Sequence, residues 1–373
     1  MAQQVKKQQT LFGKNGGYEL KKILYFITGK DRFLGQFRKP WYSLDARTFE
    51  KELRNAGWEV KICEFHEVAN GSVLIHDSYV FYTFSQKDEI RAYYRDVVYF
   101  LQQRGNVVLP SYELLLCHEN KGFQELYKKQ MDLDDLWSLY LSDASEIDKY
   151  EIQYPVVLKT LNGSNGKGVY LIKNEDSLRR KLKEITPAYT VAEKLDLIRR
   201  KYFRYKKTAK GWPEYEPRDD YYRYAEYIRQ TRSFILQQFI PDLEHDFRVL
   251  AVNDHYYVTK RHVRKDDFRA SGSKLFDFDT GDVQKMLDYA AELADKFNLP
   301  YISLDIVRKD DKFYLLEYQA SHFGTNVIKL SGGYYLRGKD KWEYVKAKPD
   351  VSEVLAKGLV RYLQPLAAVR SEK

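Results

Sequence analysis

Residues 156–169 read VVLKTLNGSNGKGV: an apolar run, a glycine-rich stretch, and the start of a second apolar run. This pattern predicts two strands joined by a glycine-rich hairpin. Glycine lets backbone N–H groups turn towards a polyanion, and Lys159 and Lys167 supply positive charge. The stretch lacks the Gly-Lys-Ser/Thr of a phosphate loop, and its glycines join two strands rather than a strand and a helix. The hairpin is therefore either a phosphate cover or a flexible surface turn.

The composition is that of an ordinary folded protein. With 373 residues, of which 44% are hydrophobic and 31% charged, the chain is expected to form two or three packed units. Two cysteines, Cys63 and Cys117, exclude a disulfide scaffold. No run approaches the roughly 20 apolar residues of a membrane span, and residues 1–17 lack the apolar core of a secretory signal. We therefore expect a cytoplasmic protein, and its net charge of +9 favours anionic partners.

Strands and helices alternate on both sides of the hairpin. Before it, strands are predicted at Ile23–Thr28, Trp58–Cys63, Tyr79–Phe84 and Asn106–Leu109, with helices ending at Gly57 and Gly105. This order predicts a small open α/β sheet of the doubly wound type. After the hairpin, the sequence predicts strands at Phe234–Ile240 and Phe247–Val252, a basic loop, a helix that ends before Pro300, and a hairpin of Tyr301–Val307 with Lys312–Tyr318.

Three oxygen-bearing side chains lie on this last hairpin. If its turn is centred near Asp311, Asp305 and Glu317 lie opposite each other and face the same side. Gln319 joins them by strand alternation. Two carboxylates and an amide oxygen are hard ligands of the kind that Mg²⁺ prefers. The alternative is a pair of strand-end acids bound to nearby lysines.

Basic residues are concentrated in two places. Arg248 precedes the run Lys260–Lys265 and Arg269, and arginine binds phosphate or carboxylate oxygens in a bidentate way; the alternative is a basic surface loop. Residues 195–233 hold 11 Lys/Arg, 6 Asp/Glu and 7 Tyr, and Arg199–Lys210 has seven basic residues and no acid. This segment is either a long solvated helix pair with packed tyrosines or a basic aromatic lid or acceptor platform, and an anionic acceptor is the partner expected there.

The order of these features resembles the ATP-grasp superfamily, which includes glutathione synthetase, D-alanine–D-alanine ligase and the ribosomal-protein glutamate ligase. The likeness covers roughly residues 105–330 and lies mainly in Val156–Val169, Asp246–Ser273 and Leu304–Gln319. It implies an ATP-grasp fold, α/β and α+β, after an N-terminal open α/β domain. The expected ranges are a tail at 1–18, the α/β domain at 19–115, a small lobe with the hairpin and basic insertion at 116–235, and a large lobe with the metal site and a C-terminal helix at 236–373.

The resemblance also implies ATP and Mg²⁺ as ligands and assigns residues to them. The positions that match the family's ATP-binding residues are Lys121, Lys159, Gly163, Ser164, Gly166, Lys167, Gly168, Gln237, Gln238, Phe239, Ile240 and Glu244, with Asp242 as the alternative to Glu244 for the ribose. Asp305, Glu317 and Gln319 match the metal ligands, although the family usually has Asn where this chain has Gln319. Arg248, Arg261 and Arg269 match the catalytic arginines that bind the γ-phosphate and the substrate carboxylate.

The implied activity is that of a carboxylate–amine ligase, which forms an amide or peptide bond through an acylphosphate and releases ADP and phosphate. An ATP-binding regulatory protein and an ATP-grasp phosphotransferase are the alternatives. Nucleic-acid binding is disfavoured because no RNA or DNA motif accompanies the basic patch. The expected partners are a small-molecule or peptide carboxylate and an amine, with an anionic acceptor at Arg199–Lys210 and no membrane. Similar enzymes are often dimers, so a homodimer remains open.

Overall fold

A computed structural model of the chain describes residues 22–29, 33–34, 44–82, 85, 87–133, 135–163, 166–203, 216–320, 323–339 and 341–371. The described residues form two compact units. The first draws on residues 1–136, 162–167 and 240–373, and the second on residues 137–161 and 168–239. The domain ranges expected from the sequence stay a prediction.

The N-terminal part of the first unit is a parallel sheet between helices. Its strands and helices are β1 (Ile23–Thr28), β2 (Phe33–Leu34), β3 (Leu44–Asp45), α1 (Ala46–Asn55), β4 (Glu59–Glu64), α2 (Phe65–Ala69), β5 (Tyr79–Tyr82), α3 (Asp88–Gln103), β6 (Val107–Leu109), α4 (Tyr112–Cys117) and α5 (Lys121–Gln130). The sheet order is β4-β1-β5-β6, with all pairs parallel. Phe26 of β1 packs with Phe49 of α1, whereas Ile27 packs in the cluster that holds Leu101 of α3. Helices therefore cover both faces, as the alternating pattern predicted.

The second unit is built on a four-stranded sheet. Its elements are β7 (Ser138–Leu141), a 3₁₀ helix (Ala144–Lys149), β8 (Val156–Thr160), β9 (Val169–Ile172), α6 (Glu175–Ile185), α7 (Val191–Ile198), a π-helical turn (Arg199–Phe203), α8 (Pro217–Tyr227) and β10 (Phe234–Gln238). The order is β7-β10-β8-β9. The predicted glycine-rich hairpin joins β8 and β9, which pair in antiparallel register from Val156 with Ile172 to Lys159 with Val169.

A seven-stranded sheet forms the rest of the first unit. Its elements are β11 (His245–Val252), β12 (His255–His262), β13 (Phe276–Asp277), α9 (Gln284–Phe297), β14 (Ile302–Lys309), β15 (Lys312–Gln319), α10 (Asn326–Leu330), β16 (Gly333–Arg337), β17 (Trp342–Lys346) and α11 (Val351–Ser371). The order is β15-β14-β11-β12-β16-β17, and β13 pairs with β12. The apolar stripe of α9, including Met286 and Leu293, packs on Val249 and Leu304 of one sheet face. The helix ends at Phe297, before Pro300, as the sequence predicted.

The prediction that a basic loop follows β11 is wrong for the first half of the basic run. Lys260, Arg261 and His262 belong to β12, which pairs with β11 along its whole length, from His255 to His262. Tyr256 and Val258 alternate into the α9 core, and this burial fixes the strand despite the basic residues that end it. In the described part of the chain, no helix combines the length and apolarity that crossing a membrane requires.

Replacing Gly358 with alanine should destabilise the protein, although alanine is favoured over glycine inside a helix by about 1 kcal/mol. Gly358 lies where α11 packs on β11, and an added Cβ would lie 2.5 Å from Val252 Cγ1. Overpacking of this kind typically costs about 1–3 kcal/mol. Urea denaturation measures the free energy of unfolding. Lys357→Ala, which removes an exposed ion pair with Glu353, is the matched control. A G358A variant more stable than the wild type would contradict this packing.

Candidate functional site

The seven-stranded sheet carries charged side chains on the face opposite α9. On β11, Asp246 and Arg248 alternate with residues of the α9 core, and Asp305 does the same on β14. Arg261 of β12 pairs in register with Asp246, and Asp305 pairs with Arg248. Since alternate strand residues point to opposite faces, these four side chains lie together on one face.

The four side chains form one ion-pair network. Arg261 donates to Asp246 through Nε (2.6 Å) and Nη2 (2.5 Å), and its Nη2 also lies 2.8 Å from Asp305 Oδ2. Arg248 donates to both oxygens of Asp305, each at 2.9 Å. Asp246, Arg261 and Asp305 are at most 5% exposed. Two positive and two negative charges cancel here, which is the condition under which buried charges are tolerated.

The two carboxyl groups respond differently to this environment. Burial acts to raise the pKa of Asp305, but Arg248 and Arg261 outweigh it and hold that pKa well below its ordinary range. Burial raises the pKa of Asp246 against the attraction of Arg261. Asp305, which has two arginine partners, is therefore the more firmly ionised of the two.

The β14–β15 hairpin places Glu317 opposite Asp305, as the sequence predicted, but for a different geometric reason. Lys309 pairs with Lys312, so the turn is a tight one, Asp310–Asp311, with φ of 49° and 59°. A β-bulge then leaves Leu316 as an extra residue between the partners of residues 305 and 306. Beyond the bulge, Gln319 pairs with Ser303 and lies on the same face as Glu317.

The donor chemistry of these side chains fits Mg²⁺. The half-buried Glu317 carboxylate has no hydrogen-bond or ion-pair partner among the described residues. Asp305 accepts three N–H groups, which leaves room for one more at a carboxylate with about four lone-pair positions. The described residues contain no group of three or more His, Cys, Asp or Glu side chains that could hold a metal alone. A cation here would depend on Gln319 and on ligand oxygens, as Mg²⁺ shared with phosphates does.

The tip of the glycine-rich hairpin groups with the first unit and touches two candidate phosphate-binding cations. Lys121 Nζ donates to the Gly163 carbonyl at 2.6 Å, and Arg269 Nη1 donates to the Gly166 carbonyl at 2.8 Å. Gly166 has a φ of +73°, and a Cβ on it would lie 2.9 Å from the Ser271 carbonyl oxygen. Only glycine fits this position without strain. The structure thus brings Lys121, Gly163, Gly166 and Arg269 together.

The loop after β12 is ordered by its own arginines. Asp267 accepts hydrogen bonds from Arg269 Nε and Nη2, both at 2.9 Å, and these bonds hold the pKa of Asp267 below its ordinary value. Arg264 Nη2 donates to the carbonyls of Gly272 (3.1 Å) and Ser273 (2.8 Å). Sequence reasoning missed Asp267 and Asp246. Alternation along β11 could have found Asp246, because it precedes Arg248 by two residues.

The second unit holds five of the remaining candidates. Lys159 lies on β8, opposite Ile235 of β10. Gln237 is buried and Gln238 is exposed at the end of β10, where Gln238 N donates to the Trp137 carbonyl at 2.9 Å. Phe239, half-buried, follows β10, and Gly168 precedes β9 with a φ of +72°.

Three candidates in the first unit remain, and one lies outside the described residues. Ile240 is buried in a small apolar cluster with Leu136 and Val307, against which Leu316 packs. Glu244 is exposed, and Lys167 belongs to the hairpin tip. Ser164 is not among the residues that the structure describes.

A family model described as a RimK-like ATP-grasp domain matches residues 121–206 and 222–333, more than half of the chain. This match confirms the ATP-grasp resemblance and the fold class inferred from the sequence. Residues 207–221, within the basic insertion, fall outside the matched segments.

Three similar solved structures share little sequence with this chain. The RimK domain protein ATP-grasp from Sphaerobacter thermophilus is 12% identical, with a TM-score of 0.49 over 89% of this chain and 98% of that chain. D-alanine–D-alanine ligase from Bacillus anthracis, complexed with ATP, is 11% identical, with a TM-score of 0.45 over 94% and 99%. N5-carboxyaminoimidazole ribonucleotide synthetase from Thermotoga maritima is 14% identical, with a TM-score of 0.42 over 84% and 70%.

Replacing Arg261 with methionine should destabilise the protein strongly, because Asp246 would stay buried without its partner. Removing one member of a buried pair costs about 3–5 kcal/mol. Urea denaturation measures this loss, and Arg308→Met is the control, since Arg308 and Asp311 form an exposed pair that contributes little to stability. The double variant Arg261→Met/Asp246→Asn should recover part of the loss. A loss for R261M no larger than that of R308M would contradict the network.

Proposed function

The chain belongs to the RimK-like ATP-grasp family, and from that premise we propose that it is an ATP-dependent ligase joining a carboxylate to an amine. The observation that carries the proposal is the polar face of the seven-stranded sheet, where Glu317 lies opposite Asp305 and Arg248 contacts Asp305. Acidic oxygens for a cation, with an arginine beside them for phosphate or carboxylate oxygens, are what phosphoryl transfer to a carboxylate requires.

The proposed reaction has two steps. A carboxylate oxygen of the first substrate attacks the γ-phosphorus of ATP, the bond from that phosphorus to the bridging oxygen of ADP breaks, and an acylphosphate and ADP result. The amine nitrogen of the second substrate then attacks the acyl carbon. The C–O bond to phosphate breaks, inorganic phosphate leaves with the electron pair, and the nitrogen loses a proton. Neither step needs a nucleophile from the protein, so positioning and charge stabilisation provide the catalysis.

The first unit supplies most of the proposed roles. Asp305, Glu317 and Gln319 would hold Mg²⁺, which when bound neutralises phosphate charge. Arg248 and Arg269 would bind the γ-phosphate and the substrate carboxylate. We assign Arg261 a positioning role instead, because it is 3% exposed and engaged with two carboxylates. ATP contacts are proposed for Lys121, Lys159, the hairpin glycines, Gln237–Ile240 and Glu244.

Two of these cations already have partners at the hairpin tip. Lys121 and Arg269 donate to the carbonyls of Gly163 and Gly166. Phosphate oxygens are stronger acceptors than neutral carbonyls because the hydrogen bond is then charged on both sides. We infer that ATP binding exchanges these carbonyl contacts for phosphate contacts.

A second candidate function is ATP binding without turnover. It is favoured by one observation: Asp305, the first proposed metal ligand, already accepts three N–H groups from two arginines. A carboxylate so occupied would bind a cation less strongly than Glu317 would.

Replacing Glu317 with glutamine should reduce Mg²⁺-dependent ADP release by about 100-fold or more, the scale for removing one charge-stabilising group. Thermal unfolding should be unchanged, because the Glu317 side chain has no partner among the described residues. ADP release is measured by a coupled assay across Mg²⁺ concentrations. Glu343→Gln, an exposed change on edge strand β17, is the matched control. Wild-type ADP release from E317Q would remove Glu317 from the proposed metal site.

The ligase proposal is tested by asking what ADP release requires. We expect release that depends on both an acid and an amine, with a hydroxamate formed when hydroxylamine replaces the amine, because hydroxylamine traps an acylphosphate. A phosphorylated hydroxyl acceptor would instead identify a phosphotransferase. ATP binding with no ADP release on any panel of amino acids, acidic peptides and uronic acids would favour the second candidate.

A further inference from the structure

Residues 191–203, which comprise α7 and the π-helical turn after it, present apolar side chains to solvent. Val191, Leu195 and Ile198 recur at helical spacing and are 74%, 60% and 47% exposed. Tyr202 and Phe203 continue the row and are 64% and 70% exposed. Contiguous exposed apolar side chains of this kind mark interaction sites more often than single ones do.

The opposite side of the same segment is polar, and it is the side that packs. Glu193 Oε1 accepts from Gln230 Nε2 at 3.1 Å, and Asp196 Oδ2 accepts from Arg200 Nε at 3.0 Å. Arg200 Nη1 also donates to both oxygens of Asp220 on α8, each at 2.8 Å. Its guanidinium carbon lies 3.7 Å from the centre of the Tyr224 ring. A surface helix ordinarily buries its apolar stripe, whereas α7 has no buried residue and leaves Val191, Leu195 and Ile198 exposed.

The charges around the apolar row are predominantly positive. The two acids of α7, Glu193 and Asp196, are engaged on the packed side. Lys194 and Lys201 are exposed, and Lys201 Nζ also lies 5.9 Å from the centre of the Tyr221 ring on α8. The Arg199 side chain is 55% exposed, and its Nη2 lies 3.1 Å from Asp196 Oδ1. The outward side of the segment therefore combines an apolar row with flanking cations.

We propose that the outward side of residues 191–203 docks an amphipathic helix of an acidic polypeptide. The single apolar row has the spacing of a helix–helix seam, and Asp or Glu beside the partner's apolar residues would complement Lys194, Arg199 and Lys201. A second copy of this chain fits poorly, because face-to-face association would bring these like charges together. Binding to a lipid surface, the other way to cover exposed apolar side chains flanked by cations, is separated from this proposal by the vesicle measurement in the test.

The test uses two synthetic helical peptides with the full chain. Both carry leucine at heptad positions a and d, with glutamate at e and g in one and lysine in the other. Fluorescence anisotropy should show binding of the glutamate peptide that weakens with added salt, and at least about tenfold weaker binding of the lysine peptide. The Leu195→Ser/Ile198→Ser variant should lose at least about tenfold in affinity for the glutamate peptide, because full burial of each aliphatic side chain contributes more than a factor of ten. Leu74→Ser, a change at a leucine 65% exposed elsewhere, should bind as the wild type does.

Four outcomes would overturn the proposal. The first is that the two peptides bind equally or that neither binds, and the second is binding to phosphatidylcholine–phosphatidylserine vesicles that L195S/I198S abolishes. The third is a wild-type dimer in sedimentation that the variant does not form. The fourth is a lower melting temperature of the variant, which would mean that the chain itself covers the row. ADP release should be the same in L195S/I198S and wild type, so failure of this proposal is separable from failure of the ligase proposal.

Discussion

Arg261 is a permanent positive charge in the middle of the largest sheet, and the proposed site is arranged around it. Arginine does not deprotonate in proteins, so its burial obliges Asp246 and Asp305 to remain beside it as carboxylates. Its fork ties β12 to β11 and β14 at once, and Arg248 closes the network from β11. The position of Asp305, and with it the opposing Glu317, is therefore fixed by electrostatics as well as by strand pairing.

The ion-pair network around Arg261 also determines which carboxylate keeps a negative charge without a cationic partner. Asp305 is offset by its two arginines, whereas Glu317 has no cation partner among the described residues. A divalent cation on this face would meet little net negative charge from the protein, so phosphate oxygens would have to supply the rest. Such dependence on the nucleotide is characteristic of Mg²⁺ sites that keep few protein ligands.

The features that depend on short-range periodicity could be predicted from the sequence, and those that depend on distant partners could not. β1 has the bounds that its apolar run predicted, and α9 ends before Pro300 as expected. The sequence predicts a loop where the structure has the strand that contains Lys260–His262, because the basic end of this strand obscures an alternation that burial against α9 enforces. Asp246 was not recognised as the partner of Arg261, since register between β11 and β12 is not written in either strand alone. The composition of residues 195–233 predicted a helix pair as one alternative, but not that α7 leaves Val191, Leu195 and Ile198 exposed.

The extra residue in β15, Leu316, places an apolar side chain beside the charged side chains of the polar face. Because Leu316 is the extra residue of the bulge and Glu317 comes directly after it, a hydrocarbon side chain and a carboxylate occupy neighbouring positions on one strand. Leu316 packs against the cluster of Leu136, Ile240 and Val307, while Glu317 adjoins Asp305. A molecule lying along β15 would contact an apolar surface and, within about 7 Å, a charged one, since this distance is the span of two strand residues. An aromatic base joined to a charged chain has that same division along its length.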